Sequence, residues 1–422
     1  ALAHRRLMVI DPSPAAGQPM RSTDGRFTLV YNGELYNDAE LRADLARVGG
    51  ADRGPEFRTS SDTETLLAAL ERRGGDAVAR LRGMYAFALY DAREKTILAA
   101  RDPLGIKPLY YWLGRSRGGP LLILASEIPA ILSHPEVTRR PDPVGVSTYL
   151  TTIRTALGER TLFEGVRAIR PGRVLRFDLS GDGIRVTDVT PPSRPRTGFV
   201  PGENAAAQVR SAVEDSVRRH LRSDVPICCL LSGGLDSTIV ATIARQAVGE
   251  LFTYCAGAPT EGSALRTQDD FALARLVASR LGTRHAEAPV TRALFGENWS
   301  EMIRAQGVPL STPNEVAIHE VARRLRADGK IVTISGEGAD ELFAGYEAPM
   351  AEALKFERAL AGEPGTPAAE GVLTPRRARF QLDSNAWVPL AAKPALLAAP
   401  VWKTLESDDA LIDTYEREFA AA

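Results

Sequence analysis

Residues 227–237 read Ile-Cys-Cys-Leu-Leu-Ser-Gly-Gly-Leu-Asp-Ser, an apolar run that ends in a loop of small and polar residues. The run has the length of a buried strand, and the residues after the loop have helical periodicity. The same alternation of strand and helix recurs downstream, with apolar strands at FTYCAGA (252–258), HAEAPV (285–290) and KIVTIS (330–335). Near-continuous apolar strands separated by helices predict a parallel sheet that has helices on both faces.

The loop at the end of the first strand has the residues that a phosphate site needs. Gly233 and Gly234 allow backbone N–H groups to approach a phosphate closely, and the following helix points its positive end at the same place. Ser232 and Ser237 add hydroxyl donors. The carboxylate of Asp236 would repel a phosphate, so its presence there indicates Mg²⁺ between the two.

A second loop of this kind follows the strand KIVTIS. Residues 335–341 read Ser-Gly-Glu-Gly-Ala-Asp-Glu, and ligands of open parallel sheets bind beyond the carboxyl ends of the strands. Asp340 is therefore a candidate second metal ligand, and Glu337 is a candidate contact to an acyl substrate. A lone SGG turn after a strand is common, but two such loops in one α/β domain indicate an ATP site. Neither a Walker loop nor a dinucleotide-binding fingerprint is present.

The first part of the chain is rich in strands and contains few helices, which predicts an α+β sandwich. MYAFALYD (84–91) and KTILAARD (95–102) have the pattern of paired strands. A strand at residues 27–31 is predicted to run into a turn at Asn32-Gly33. The opening residues, ALAHRRL, are also predicted to form a strand.

A proline-rich stretch separates the two patterns. Residues 191–202 hold four prolines and two glycines, which is the composition of a linker. We therefore predict a first domain at residues 1–190, a linker at 191–202 and a second domain at 203–422.

Charge and cysteine content exclude several classes of protein. The 52 basic and 53 acidic residues give a net charge of −1, with no run of five like charges, so the sequence indicates no nucleic-acid or membrane partner. The apolar stretches are too short to span a bilayer. Cys228, Cys229 and Cys255 fit neither a disulfide framework nor a zinc site. Their apolar neighbours predict that they are buried in strands. Their small, odd number indicates a protein of the reducing cytoplasm.

The first domain contains the groups that free glutamine requires. Binding needs a cation for the α-carboxylate, a carboxylate for the α-ammonium group and amide-type donors for the reacting carbonyl. Arg6, the run Asn32-Gly33-Glu34 and Asp62 supply these groups. Taken singly, each has an ordinary interpretation, as a surface arginine, a hairpin turn and a helix cap.

Both domains resemble parts of one enzyme family. The loop SGGLDS looks like the pyrophosphate loop of N-type ATP pyrophosphatases, and with SGEGADELFAGY (335–346) it resembles the synthetase domain of glutamine-hydrolysing asparagine synthetases. The glutamine-type residues, together with RDPLGIKPLYY (101–111) and SEI (126–128), resemble the class II glutaminase domain of the same enzymes. That domain has an N-terminal-nucleophile fold.

The resemblance implies that ATP adenylates the carboxylate of aspartate, that pyrophosphate is released and that ammonia then attacks the adenylate. Glu337 would be critical for forming the adenylate, and Asp236 and Asp340 would hold Mg²⁺. The residues implied to line the adenosine are Leu231, Ala256, Ser335 and Gly336. Those implied to hold pyrophosphate and Mg²⁺ are Ser232, Gly233, Gly234, Asp236 and Ser237.

The resemblance also assigns roles in the glutamine site. Arg6 would bind the α-carboxylate and Asp62 the ammonium group, while Asn32 and Gly33 would form the oxyanion hole. Glu34 belongs to the same glutamine-binding set.

One departure concerns the nucleophile. Members of the family attack glutamine with a cysteine at the mature N-terminus, whereas the first cysteine here is Cys228. We therefore expect the printed chain to begin inside its first domain. We also expect it to end before a lysine that stabilises the adenylate in the family, so that it would be inactive alone.

Three alternatives stay open. β-Lactam synthetases and lasso-peptide cyclases share the architecture but do not use glutamine, so Arg6, Asn32 and Asp62 favour an amidotransferase. An amidotransferase acting on another carboxylate in natural-product or cell-envelope biosynthesis is the second, and a non-catalytic nucleotide-binding protein is the third. The expected partners are glutamine, aspartate and ATP, and a homodimer is left open.

Overall fold

The computed structural model describes residues 1–47, 56–192, 204–258, 270–362 and 370–421. Most of the predicted linker, residues 193–202, lies outside these ranges, so the proposed domain boundaries stay predictions. No helix within the described ranges is long and apolar enough to cross a membrane.

Strands predominate in the first half of the chain. Its α-helices, within the described residues, are α1 (Asp38–Arg47), α2 (Asp62–Arg73), α3 (Ile128–Leu132) and α4 (Pro143–Thr152). Its strands, within the same residues, are β1 (Met20–Arg21), β2 (Phe27–Leu35), β3 (Gly83–Asp91), β4 (Thr96–Arg101), β5 (Tyr110–Ser116), β6 (Gly119–Ala125), β7 (Ala156–Leu157), β8 (Arg160–Thr161), β9 (Val166–Ala168), β10 (Val174–Asp178) and β11 (Arg185–Asp188).

These strands form two stacked antiparallel sheets. The larger has the order β1-β2-β3-β4-β10-β11, and the smaller has the order β6-β5-β9-β8-β7. One face of the larger sheet packs on α1 and α2 through residues such as Leu29, Leu66 and Phe87. Its other face packs on the smaller sheet, where the rings of Tyr111 and Phe177 meet edge to face. The predicted α+β sandwich is therefore confirmed.

The predicted turn at Asn32-Gly33 is wrong. β2 continues through both residues and pairs with β3, with Gly33 opposite Tyr85. A Cβ atom at Gly33 would lie 2.2 Å from the carbonyl oxygen of Met84 and 2.8 Å from the ring of Tyr31. The glycine is therefore needed for the close approach of β3 rather than for a turn.

The second half alternates strands and helices. Its strands, within the described residues, are β12 (Ile227–Leu230), β13 (Phe252–Gly257), β14 (Arg284–Pro289) and β15 (Val332–Ile334). Its α-helices, within the same residues, are α5 (Ala205–His220), α6 (Leu235–Ala247), α7 (Asp270–Leu281), α8 (Arg292–Gln306), α9 (Asn314–Ala327), α10 (Ala339–Phe343), α11 (Glu347–Gly362), α12 (Glu370–Ser384), α13 (Lys393–Leu396), α14 (Ala399–Thr404) and α15 (Asp409–Ala421).

The four strands form one parallel sheet of order β14-β13-β12-β15. Successive residues of β12 face opposite sides, since Cys229 packs with Ala241 of α6 and Phe271 of α7, whereas Cys228 packs with Val321 of α9. Helices therefore cover both faces, as predicted. Burial raises the pKa of the Cys229 thiol to about 12, so this cysteine behaves as a small apolar side chain.

The C-terminal helices pack against α4 of the first half through a buried ion pair. Lys393 is 0% exposed, and its Nζ donates to the carbonyl and hydroxyl oxygens of Ser147 at 3.1 and 2.6 Å. The same Nζ lies 2.5 Å from Oδ2 of Asp408, whose Oδ1 accepts from the Ser147 hydroxyl at 2.6 Å. Nearby, the backbone N–H of Trp387 donates to the carbonyl of Thr151 at 2.9 Å. This cluster joins two halves that are distant in sequence.

A second contact between the halves lies at the end of α5. The backbone N–H of Asp224 donates to the carbonyl of Val9 at 3.0 Å, and that of Asp11 donates to the Asp224 carboxylate at 2.7 Å. Arg219 forms an ion pair with Glu40 of α1 at 2.8 Å. The residues around the end of α5 therefore lie against the opening segment and α1.

Candidate active site

A cleft of about 610 Å³ opens at the carboxyl ends of β12, β13 and β15. The loops that follow β12 and β15 both line it, as expected for a parallel sheet. The predicted nucleotide and metal residues that line it are Leu231, Ser232, Gly234, Asp236, Ser237, Ala256, Ser335, Gly336, Glu337 and Asp340. These residues, which lie far apart in sequence, therefore share one cavity.

Gly233 shapes the first of these loops. Its φ is +84°, which residues with a side chain rarely adopt. An added Cβ atom would also lie 2.5 Å from Cβ of Leu273 and 2.7 Å from the backbone of that residue. The chain then enters α6 at Leu235, directly after Gly234. The N-terminus of α6 therefore borders the cleft, where its free N–H groups suit an anion.

The two loops touch each other through a glycine. A Cβ atom at Gly336 would lie 2.9 Å from Cβ of Asp236 and 3.0 Å from the backbone nitrogen of Ser237. Glycine at this position lets the second loop reach the first turn of α6. The hydroxyl groups of Ser232 and Ser237 lie 3.1 Å apart, so two hydroxyls and one carboxylate line the cleft beside this contact.

The second loop brings three carboxylates to the cleft. Tyr346 donates its hydroxyl to Glu341 at 2.6 Å, and this bond raises the pKa of Tyr346 to about 12. Glu341 therefore has a local partner. The better candidates for contact with a ligand are Asp340 and Glu337. Asp340 is half-buried at the N-terminal end of α10, and Glu337 is exposed just before that helix.

Further residues line the cleft that the sequence analysis did not single out. They come from the end of β14 and from α8 and α9, and include Val290, Phe295, Asn314 and Ile318. No motif marks these positions, and only the order of the strands in the sheet brings them to the cleft. The apolar surface of Val290, Phe295 and Ile318 is of the kind that ligand pockets use beside a few polar groups such as Asn314.

Four of the predicted glutamine residues, Asn32, Gly33, Glu34 and Asp62, lie at the end of β2. Asp62, at the start of α2, accepts hydrogen bonds from the hydroxyl of Tyr31 at 3.1 Å and from the backbone N–H of Leu35 at 3.0 Å. Glu34 is 7% exposed, and its Oε1 is buried with no hydrogen-bond partner among the described residues. The structure thus brings two of the predicted carboxylates to one end of the strand.

The environment of these carboxylates favours a bound cation. Burial and the nearby Asp62 raise the pKa of Glu34 to about 7, while the cations Arg222 and Lys107 oppose this rise. Burial likewise raises the pKa of Asp62, and its two hydrogen bonds lower it. Two buried carboxylates repel each other, so a positive group close to both is stabilising. An ammonium group is such a positive group.

Arg6 lies in an opening segment without regular secondary structure, so the predicted strand at the start of the chain is wrong. Its guanidinium donates to the carbonyl of Asp11 at 3.0 Å and also to that of Ile10. The imidazole of His4 interacts with the backbone of Tyr31 on β2. The segment therefore passes beside the strand that carries Asn32, Gly33 and Glu34.

The RDPLGIK stretch folds around a buried carboxylate. Asp102 accepts hydrogen bonds from the backbone N–H groups of Tyr85 at 3.2 Å and Lys107 at 3.0 Å. Arg101 donates to the carbonyl of Lys107 at 2.9 Å. These bonds fix the loop with Lys107 close enough to Glu34 to act on its charge.

Family models match both halves of the chain. A model described as a glutamine amidotransferase domain matches residues 1–186, and one described as asparagine synthase matches residues 208–417. The chain belongs to the asparagine synthetase family.

Several curated members of the asparagine synthetase family are similar to this chain. Asparagine synthetase [glutamine-hydrolyzing] 3 of Bacillus subtilis (strain 168) is 33% identical over 356 residues, which cover 81% of this chain and 56% of that protein. Asparagine synthetase B [glutamine-hydrolyzing] of Escherichia coli (strain K12) is 32% identical over 380 residues, covering 84% and 59%. Amidase chyE of Penicillium rubens is 30% identical over 366 residues, covering 84% and 52%. The chain spans about half the length of the curated relatives it matches.

The asparagine synthetase family implies ATP as a substrate, and the donor set of the cleft fits Mg²⁺ bound with it. Mg²⁺ in nucleotide sites takes one or two protein carboxylates together with phosphate oxygens and water. Asp236 and Asp340 line the cleft beside the N-terminus of α6. Within the described residues, no group of three or more His, Cys, Asp or Glu side chains is arranged to hold a metal ion by itself.

Proposed function

We propose that the protein is an ATP-dependent amidotransferase that converts aspartate to asparagine with ammonia from glutamine. The reaction passes through β-aspartyl-AMP and releases AMP and pyrophosphate. One observation carries the proposal: the SGGLDS and SGEGADE loops line one cleft at the carboxyl ends of a parallel sheet. Relatives named as glutamine-hydrolysing asparagine synthetases support the choice of aspartate and glutamine.

In the second half, the N–H groups of the SGGLDS loop and of the start of α6 bind the pyrophosphate part of ATP. Asp236 and Asp340 would hold Mg²⁺, which would supply positive charge to stabilise the phosphates. Glu337 orients the aspartate carboxylate, whose oxygen attacks the α-phosphorus as pyrophosphate leaves. The residues proposed to line the adenosine are Leu231, Ala256, Ser335 and Gly336.

In the first half, the ammonium group of glutamine lies against the buried carboxylates of Glu34 and Asp62. Asn32 and Gly33 stabilise the oxyanion that forms at the reacting carbonyl. Arg6 binds the α-carboxylate through charge-assisted hydrogen bonds. A carboxylate pair with an unsatisfied buried oxygen supports glutamine use over a β-lactam-synthetase-like reaction, in which no free ammonium group needs binding.

A second candidate is an amidotransferase of the same family that acts on a different carboxylate, as in natural-product biosynthesis. The similarity to a protein named amidase chyE supports it, since not every relative of this chain is named an asparagine synthetase. Both candidates share the same nucleotide chemistry and differ only in the acyl substrate.

Exchange of labelled pyrophosphate into ATP by the full-length protein tests the proposal, because the adenylation step is reversible. We expect exchange to require Mg²⁺ and aspartate when a panel of carboxylic acids is compared. A stronger response to another acid would select the second candidate. Formation of ADP and phosphate would contradict both.

The role of Arg6 gives a prediction about glutamine alone. Arg6→Ala removes a charge-assisted contact and should weaken glutamine binding by about 2–3 kcal/mol, measured by calorimetry. Ammonia-driven synthesis should be unchanged. Arg5→Ala, at the exposed neighbouring position, is the matched control. An equal loss in both variants, or a loss of ammonia-driven synthesis, would make Arg6 a structural residue.

A further inference from the structure

The side chain of Arg222, a residue of the second half, contacts the first half of the protein. It follows α5 and lies within residues 208–417, which match the asparagine synthase model. Its Nη2 nevertheless lies 2.5 Å from Oδ2 of Asp38, at the start of α1 in the first half. Asp38 is buried and also accepts hydrogen bonds from Thr65 of α2 and, at 3.3 Å, from Arg42 of α1. The guanidinium of Arg222 is therefore fixed by an anchored carboxylate.

The other nitrogen of this guanidinium is not satisfied. Nη1 of Arg222 is buried and has no hydrogen-bond partner among the described residues, and the same holds for Oε1 of Glu34. These two atoms are therefore not hydrogen-bonded to each other. A buried donor and a buried acceptor that both lack hydrogen bonds are costly. A polar ligand or a water molecule that bonds to them would therefore be stabilised.

Glu34 responds to charges from several elements. Asp62 of α2 disfavours its ionised form, whereas Arg222 and Lys107 favour it. The phenols of Tyr31 and Tyr36 also lie within electrostatic range of Glu34. The ring of Tyr36 contacts that of His220, at a centroid distance of 3.9 Å. Arg222 is therefore the cation through which the second half acts on this carboxylate.

We propose that Arg222 is a positioning residue through which the synthetase half favours the ionised form of Glu34, and so sets the affinity of the first half for the ammonium group of glutamine. The proposal rests on the assignment of Glu34 and Asp62 to glutamine. It goes beyond that assignment because Arg222 lies outside residues 1–186, which match the glutamine amidotransferase domain, and yet controls the site.

The direction of the effect follows from the charge on Glu34. Glu34 binds an ammonium group only when ionised, so affinity should rise with pH as pH passes the pKa of Glu34, about 7. Arg222 lowers this pKa, and its loss should raise it. The affinity curve should therefore move to higher pH, with the largest loss on the acidic side and recovery on the alkaline side.

The test is calorimetric titration of the protein with glutamine from about pH 6 to about pH 8.5. Arg222→Met, which keeps length but not charge, should bind glutamine about tenfold more weakly on the acidic side, the effect of a shift of about one pH unit. Arg222→Lys should restore much of the affinity. Arg218→Met is the matched control, since Arg218 is an exposed residue of α5 whose partner Glu214 is 3.9 Å away.

Each outcome separates this inference from the proposed function. If the unaltered protein binds no glutamine at any pH, both the glutamine site and the role of Arg222 are wrong. If it binds glutamine and Arg222→Met has the same pH midpoint, only the inference fails. An equal loss of affinity at every pH would make Arg222 structural, and so would a lysine variant that gives no recovery. Thermal unfolding of each variant verifies that it is folded.

Discussion

Replacement of Asp408 by alanine is expected to lower the free energy of unfolding by about 3–5 kcal/mol, because it leaves a buried lysine without its counter-charge. Lys393 is fully buried, and its Nζ reaches only Asp408 and Ser147 in the hydrogen bonds found within the described residues. Burial lowers the pKa of Lys393, and Asp408 opposes that shift. Chemical denaturation measures the loss.

Two further variants isolate the cause of this loss. Asp413→Ala removes an exposed carboxylate from α15 and should change stability by less than about 0.5 kcal/mol. The double variant Lys393→Met with Asp408→Leu removes both charges, and we expect it to be more stable than Asp408→Ala alone. A loss below about 1 kcal/mol for Asp408→Ala would show that the pair contributes little.

In the full-length protein, Asp236→Asn is expected to lower pyrophosphate exchange at least about 100-fold, on the scale of about 3 kcal/mol for one lost electrostatic stabiliser. The amide keeps the shape of the side chain but is a poorer ligand for Mg²⁺. Asp340→Asn should act in the same direction. Both variants should keep glutamine binding, because the two residues lie in the second half.

The control for this effect is Asp383→Asn, which removes a charge from an exposed ion pair with Arg379. Exchange should then be unchanged, because exposed pairs contribute little. Titration with Mg²⁺ adds a second measurement, since loss of a metal ligand should raise the concentration needed for half-maximal exchange. Near-normal exchange in Asp236→Asn at low Mg²⁺ would remove this residue from the metal site.

The second half could be predicted well from sequence because its signals are local. Strands buried on both faces read as apolar runs, and in β12 the neighbours Cys228 and Cys229 do face opposite layers of helices. The loops after β12 and β15 were expected to meet because parallel strands share a carboxyl edge. What could not be predicted was the contact of Gly336 with Asp236, since it depends on how the two loops approach each other.

The errors in the first half have a common cause. Asn32-Gly33 is a strong local signal for a turn, yet here the glycine is required by the strand across from it. Distant partners also explain two contacts that the sequence does not predict: Arg222 lies 184 residues (222 − 38) from Asp38, and Lys393 lies 246 residues from Ser147. Sequence patterns describe neighbours along the chain, so partners of this kind are found only when the chain is folded.

The cluster of Ser147, Lys393 and Asp408 has a consequence for how such proteins can be recombined. A chimera that takes its amidotransferase segment from one relative and its synthetase segment from another would place a lysine opposite a surface that had not evolved with it. With another residue at position 147, the ammonium group would lose the hydroxyl partner, and it would keep the main-chain carbonyl only if α4 were held in the same place. The two segments are therefore not interchangeable parts, and any exchange between relatives has to carry α4 together with the C-terminal helices that pack on it.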